Sequence, residues 1–174
     1  VQNYPPSEQS SFSAYTGQAG IHLMFEKLRE KKFLSSFSKD FKKYSRAYLR
    51  SSVSSAKLKR RNRITLLEGE LGLNAFKAVQ YGLSGKDSSR DREITLLLKA
   101  LSSVLSPSMK SNEVLYGRAG YLCCLLYVRS HLGNQAIPSS HVQQVVDKLV
   151  EEGKEMATDE TPLMWAWHSK KYLG

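Results

Sequence analysis

Apolar residues recur along this chain at helical spacing, and no segment alternates with period two, so the pattern predicts an all-α protein without strands. Ile94, Leu97, Leu98, Leu101, Val104 and Leu105 form one apolar stripe, and Val142, Val145, Val146, Leu149 and Val150 form another that continues to Met156 and Ala157. Phe37, Phe41, Tyr44 and Tyr48 give an aromatic stripe nearer the N-terminus. Between these one-faced segments lie three that are mostly apolar: Ile21 to Leu28, Leu73 to Tyr81 and Tyr121 to Leu132. The third is apolar almost all round, which predicts a helix buried on most sides. Gly133 follows it and predicts a left-handed closing residue. Ser140 and Gln143, just after Pro138, read as a capping box.

Each mostly apolar segment opens with the same short motif. Gly17-x-x-Gly20, Gly69-x-x-Gly72 and Gly117-x-x-Gly120 each follow an apolar or aromatic residue, and their first glycines are 52 and 48 residues apart. One such motif is weak evidence; three at near-constant spacing predict a helical repeat. The expected architecture is an inner layer of glycine-opened helices and an outer layer of one-faced helices. Each hairpin leaves an apolar flank for the next to cover, in an open solenoid or a closed α/α toroid. The glycines are expected to allow close backbone approach and conformations closed to other residues.

Charge adds one localised feature. The formal net charge is +10, but residues 21–63 hold 14 Lys and Arg against Glu26, Glu30 and Asp40, while residues 64–174 are balanced. The basic run ends at Lys57-Leu58-Lys59-Arg60-Arg61-Asn62-Arg63. Such a segment is either a solvated helix face or a surface for anionic lipid. No aromatic-and-basic motif points to specific nucleic-acid binding. The two cysteines, Cys123 and Cys124, are adjacent, so on a helix they point about 100° apart and are poorly placed to grip one metal ion. They read as small buried side chains in a reducing compartment, which makes the cytoplasm the expected location. His22, His131, His141 and His168 show no metal-ligand spacing; His131 sits where a cation suits a helix C-terminus.

The segment Asn112-Glu-Val-Leu-Tyr-Gly-Arg-Ala-Gly-Tyr-Leu, followed by Leu125-Leu-Tyr, resembles the third repeat of eukaryotic LanC-like proteins. Tyr15-Thr-Gly-Gln-Ala-Gly-Ile is similar to their first repeat, and Ile137-Pro-Ser-Ser-His-Val-Gln-Gln and the stretch from Thr161 to Gly174 are also similar to family segments. The resemblance runs from about Tyr15 to the last residue, leaving residues 1–14 as an N-terminal segment and 15–174 as a partial toroid domain. It implies an α/α toroid of seven helical hairpins, of which this chain supplies about three. It further implies a zinc held by two Cys and one His in later repeats, beyond Gly174, and none in this chain. Glutathione is the implied co-substrate, its thiol adding to dehydroamino acids in peptides or proteins. The cysteines and the basic segment, taken together, make the expected location cytoplasmic, with peripheral contact to the plasma membrane through residues 21–63.

One site residue is carried over. The related bacterial cyclases have an Asp implicated in catalysis four residues before the first glycine of the corresponding motif; Glu113 stands there in this chain. Without that role, Glu113 would be an acidic residue near a helix N-terminus, where negative charge is favoured. The chain departs from the family at Leu67-Glu68-Gly69-Glu70-Leu71-Gly72, where Cys-Gly-Asp-Ala-Gly is common, and at Gln18 and His22. Two other readings stay open: a glutathione-binding scaffold without turnover, and a glycosidase using Glu68 and Glu70, which lacks nearby sugar-stacking aromatics.

Overall fold

Glycine-opened helices alternate with one-faced helices, as the pattern requires. The computed structural model describes residues 11–31, 35–59, 63–166 and 172–173. Among these, the helices are α1 (Gln18–Glu30), α2 (Ser38–Lys59), α3 (Glu70–Gly82), α4 (Asp87–Lys99), α5 (Leu101–Leu105), α6 (Arg118–Leu132) and α7 (Ser139–Glu155). The chain divides into two compact units, 1–62 and 63–174.

The first unit is the hairpin of α1 and α2. Phe25 of α1 lies against Phe41, Tyr44 and Tyr48 of α2, with ring centroids 5.8, 5.5 and 6.2 Å apart. Phe41, Tyr44 and Tyr48 therefore form the face of α2 that packs on α1, and ring pairs of this kind add to simple area burial, whereas Phe37 of the expected stripe precedes the helix and is 50% exposed. Lys27 and Arg29 occupy the last turn of α1, where cations suit the helix dipole.

In the second unit α3 packs on α4 and α6, and α6 and α5 pack on α7. Ala75, Ala78, Leu97, Tyr121, Leu125, Val128 and Val145 are fully enclosed in this core. Burying a side chain such as Leu125 stabilises by about 2 kcal/mol. Tyr121 keeps its polar end satisfied by donating its hydroxyl to the Leu97 carbonyl at 2.8 Å. Glu93 of α4 is also enclosed, and is held by Asn74 at 2.8 Å and Lys77 at 2.7 Å from α3. Burying a carboxylate is costly unless it is paired and hydrogen-bonded in this way.

Several expectations require correction. Trp165–Ala166 (β1) pairs antiparallel with Tyr172–Leu173 (β2), so the chain does contain strands. Two-residue strands are too short to show alternation; here the anchor is tertiary, with the Trp165 indole donating to the Leu149 carbonyl at 2.9 Å and lying against Gly153. The stripe from Ile94 to Leu105 is not one helix, because Ala100 N–H turns to Leu97 O at 3.2 Å between α4 and α5. The capping box does not form. The N-cap of α7 is Pro138, Ser140 lies inside the helix, and Gln143 bonds Asp147 at 2.7 Å. The last stripe also outruns its helix, since Met156 and Ala157 follow its end at Glu155. Finally, α6 is buried on one face only. Tyr121, Cys124, Leu125 and Val128 are enclosed, whereas Leu126 is 45% exposed. Composition revealed an apolar helix but not which sides its neighbours in the unit would cover.

Candidate functional site

The three glycine motifs fold into one repeated device. In each, the first glycine is the N-cap: Gly17 of α1, Gly69 of α3 and Gly117 of α6. The next residue returns its N–H seven positions, Gln18 to Ser11 O at 2.9 Å, Glu70 to Arg63 O at 3.0 Å and Arg118 to Ser111 O at 3.0 Å. A Cβ on either glycine of a motif would collide with the carbonyl oxygen six residues earlier. Those carbonyls belong to Ser11 and Ala14, Arg63 and Leu66, and Ser111 and Val114. Close approach is therefore what the glycines provide. The expectation of unusual dihedrals was wrong for these N-caps, which have ordinary extended φ of −142°, −107° and −128°. Gly133 does take φ +93°, with ψ 159°, a glycine-favouring extended region rather than the left-handed helical one.

The chain before each motif makes a tight turn whose first residue is four positions ahead of the glycine. Ser13 Oγ accepts the Thr16 N–H at 3.0 Å and Thr65 Oγ1 accepts the Glu68 N–H at 3.3 Å. Side-chain oxygens at such a position stabilise the turn locally. Glu113 stands in the same register ahead of Gly117, half-buried, so a carboxylate occupies the position that small hydroxyls fill elsewhere. Its carbonyl accepts from Gly117 N–H at 2.9 Å, which fixes the backbone that bears it.

The second and third turns are stitched together. Thr65 Oγ1 donates to Leu115 O at 2.7 Å, and Leu66 N–H donates to Gly120 O at 3.0 Å. Arg63 lies over the Tyr116 ring at 4.7 Å and pairs with Glu68 at 2.8 Å. The structure thus brings Arg63, Glu68 and Tyr116 to the turn that carries Glu113. Sequence reasoning missed Arg63 and Tyr116 because their pairing spans two repeats. Glu68 is engaged by Arg63. Glu70 begins α3, half-buried, and desolvation raises its pKa above the usual carboxylate range.

Arg118 also escaped the sequence reading. Its guanidinium is fully enclosed and donates to Val104 O (2.9 Å), Ser106 O (3.2 Å), Met109 O (2.7 Å), Asn112 Oδ1 (2.8 Å) and Glu152 Oε2 (2.8 Å). The only cue in the sequence was a charged residue between glycines at the head of an apolar helix.

The remaining candidates separate. His22 is buried between α1 and α2, with Nδ1 3.1 Å from Ser45 O and 2.9 Å from Ser45 Oγ. Ser45 Oγ in turn donates to Glu26, which pairs with Arg29 at 2.8 Å. Burial lowers the His22 pKa, while Glu26 and the Ser45 backbone oppose the shift. His131 caps its own helix through Tyr127 O at 2.9 Å. His141 lies in the first turn of α7, and His168 falls outside the described residues. No three His, Cys, Asp or Glu side chains among the described residues converge as metal ligands. Burial raises the pKa of Cys123 and raises that of enclosed Cys124 further, which favours protonated thiols over metal-binding thiolates. The described residues do not offer the ligand set a zinc ion needs.

Glycine-opened helical hairpins, each with a tight turn at the head of its first helix, define a class that comparison with known proteins makes specific. A family model described as "Lanthionine synthetase C-like protein" matches residues 8–174, and the chain belongs to that family, whose fold is an α/α toroid. Among curated proteins, "Glutathione S-transferase LANCL1" of Danio rerio is 30% identical over 168 residues, which cover 93% of this chain and 40% of that protein. The chain thus spans about two-fifths of the length of this relative.

Proposed function

We propose that the whole protein of which this chain is part adds the thiol of glutathione to dehydroamino acids in peptides or proteins, with Glu113 as an acid–base group. Family membership and the glutathione S-transferase name of the relative support the reaction class. The observation that carries the role of Glu113 is its place: a carboxylate at the turn position where the other two repeats have Ser13 and Thr65. In the reaction a sulfur–carbon bond forms at the β-carbon as the alkene π bond breaks. The electron pair passes to an enolate, and the α-carbon then takes a proton. The thiol surrenders one proton and the α-carbon gains one, so a group that exchanges protons within reach of the enolate suffices. Bound zinc would supply a thiolate at neutral pH, and its ligands would come from outside this chain.

The test uses the whole protein, glutathione and a dehydroalanine peptide. Glu113→Gln is expected to lower kcat by about a hundredfold or more, within the usual range for removal of an acid–base group, while the protein stays folded. Unchanged kcat in that variant would remove Glu113 from the chemistry. Glutathione binding without any thioether product in the wild type would favour the scaffold reading.

A second reading has its own observation. Lys39, Lys43, Arg46 and Arg50 follow one another at helical spacing on α2, and Lys39, Lys43 and Arg50 are exposed. The buried side of the helix carries Ser45, Tyr48, Leu49 and Ser52. We propose that this cationic stripe rests against the anionic surface of a membrane from the cytoplasmic side. Residues 60–62 of the basic run lie outside the described residues. No helix among the described residues is long and apolar enough to cross a membrane. The whole protein should bind vesicles containing anionic lipid, lose them as salt screens the charges, and lose them when Lys39, Lys43 and Arg50 become Gln. Equal binding to neutral vesicles would leave only a solvated face.

A further inference from the structure

Asn112 immediately precedes Glu113, and both ends of its amide are held. Its Oδ1 accepts from Arg118 Nη1 at 2.8 Å, and its Nδ2 donates to Glu152 Oε2 at 2.8 Å. Arg118 and Glu152 also pair directly at 2.8 Å. The three side chains therefore close a polar triangle between the head of α6, α7 and the residue beside Glu113. Arg118 extends it by fastening the carbonyls of Val104, Ser106 and Met109, so the segment leading into the turn is held from one enclosed guanidinium.

The second repeat does not share this arrangement. Its counterpart of Arg118 is Glu70, which is only half-buried, and its counterpart of Asn112 is the apolar Ile64. The first repeat has Gln18 and Phe12 at those positions. A turn closed by Ser13 or Thr65 holds itself through a short hydroxyl contact. Among the three repeats, the clamp appears only where the turn residue is a carboxylate. Enclosing a guanidinium is costly, and a buried ion pair is weak evidence for stability alone. Directed hydrogen bonds specify geometry, and four of the five from Arg118 go to residues 104–112, which lead into Glu113.

We infer that Arg118, Asn112 and Glu152 are positioning residues that hold the backbone of Glu113 in its working place. This rests on the reading of Glu113 as an acid–base group. A displacement of about 1 Å at a reacting group costs up to a hundredfold in rate, so loosening one corner of the triangle should appear in kcat while substrate binding persists.

The test exchanges the amide and the carboxylate across the triangle in the whole protein. Asn112→Asp alone sets two carboxylates against each other beside Arg118, and kcat should fall about tenfold with KM unchanged. Adding Glu152→Gln restores one amide and one carboxylate at the same two places, and kcat should return to within about twofold. Amide hydrogen exchange across residues 110–117 should quicken in the single variant and slow again in the double one, without help from the activity assay. Full kcat in Asn112→Asp, or a loss that Glu152→Gln does not repair, overturns the positioning role while Glu113→Gln still impairs the enzyme. If Glu113→Gln has no effect, the acid–base reading fails, and the positioning role fails with it.

Discussion

The hydroxyl of Thr65 donates to the carbonyl of Leu115 at 2.7 Å, across fifty residues of chain. The same side chain accepts the Glu68 N–H and so closes its own turn. One small residue thereby serves its own repeat and fixes the distance to the next. This explains why Gly120 must be a glycine: a Cβ there would lie 2.5 Å from Thr65 Cβ and would also strike the Val114 carbonyl.

Gly120→Ala should therefore destabilise the second unit by about 3 kcal/mol, the upper range for forced overpacking. Gly85→Ala is the control. Gly85 has φ +66° with nothing within 4 Å of the added carbon, so only the dihedral cost of about 1 kcal/mol applies. Chemical denaturation of the two variants beside the wild type should give this order, and equal midpoints would contradict the close-packing account.

Arg118→Met should cost about 3–5 kcal/mol, because it removes an enclosed cation from its pairing with Glu152 and takes the donor from the carbonyls of Val104, Ser106 and Met109. The exposed pair of Lys27 and Glu30, 2.6 Å apart, sets the contrast. Lys27→Met should change stability by less than about 1 kcal/mol. Thermal melts of the two variants would measure the difference.

The stability of the first unit should depend on His22. Its folded pKa lies below the ordinary histidine value of about 6.5, chiefly through burial, so the unfolded chain takes up a proton first as pH falls. Its contribution is complete above pH 6.5, declines as pH drops toward the lowered folded value, and levels off below that. The slope is at most about 1.4 kcal/mol per pH unit. Denaturation midpoints across this window should fall for the wild type and less steeply for His22→Gln.

The two thiols should separate by access. Cys124 is enclosed, with its Sγ 3.5 Å from Gly120 O, and Cys123 is half-buried. Alkylation at mildly alkaline pH should label Cys123 slowly and leave Cys124 untouched until the protein unfolds. Peptide mass spectrometry would show the order, and simultaneous labelling would contradict the packing of α6.

By itself the sequence determined the apolar helical segments and the heads of the three glycine-opened helices. Glycines at 17, 69 and 117 and stripes such as Phe41, Tyr44 and Tyr48 encode local geometry, and local geometry is written at fixed spacing along the chain. Resemblance to the family picked out Glu113, and the turn in which it sits repeats at the same offset from each glycine. Tertiary structure decided the rest. The triangle of Asn112, Arg118 and Glu152, the stacking of Arg63 on Tyr116 and the open side of α6 at Leu126 all join residues with no fixed separation in sequence. Whether a polar side chain meets its partner, or an apolar one a neighbour, depends on which elements pack together, and no pattern within one helix encodes that choice.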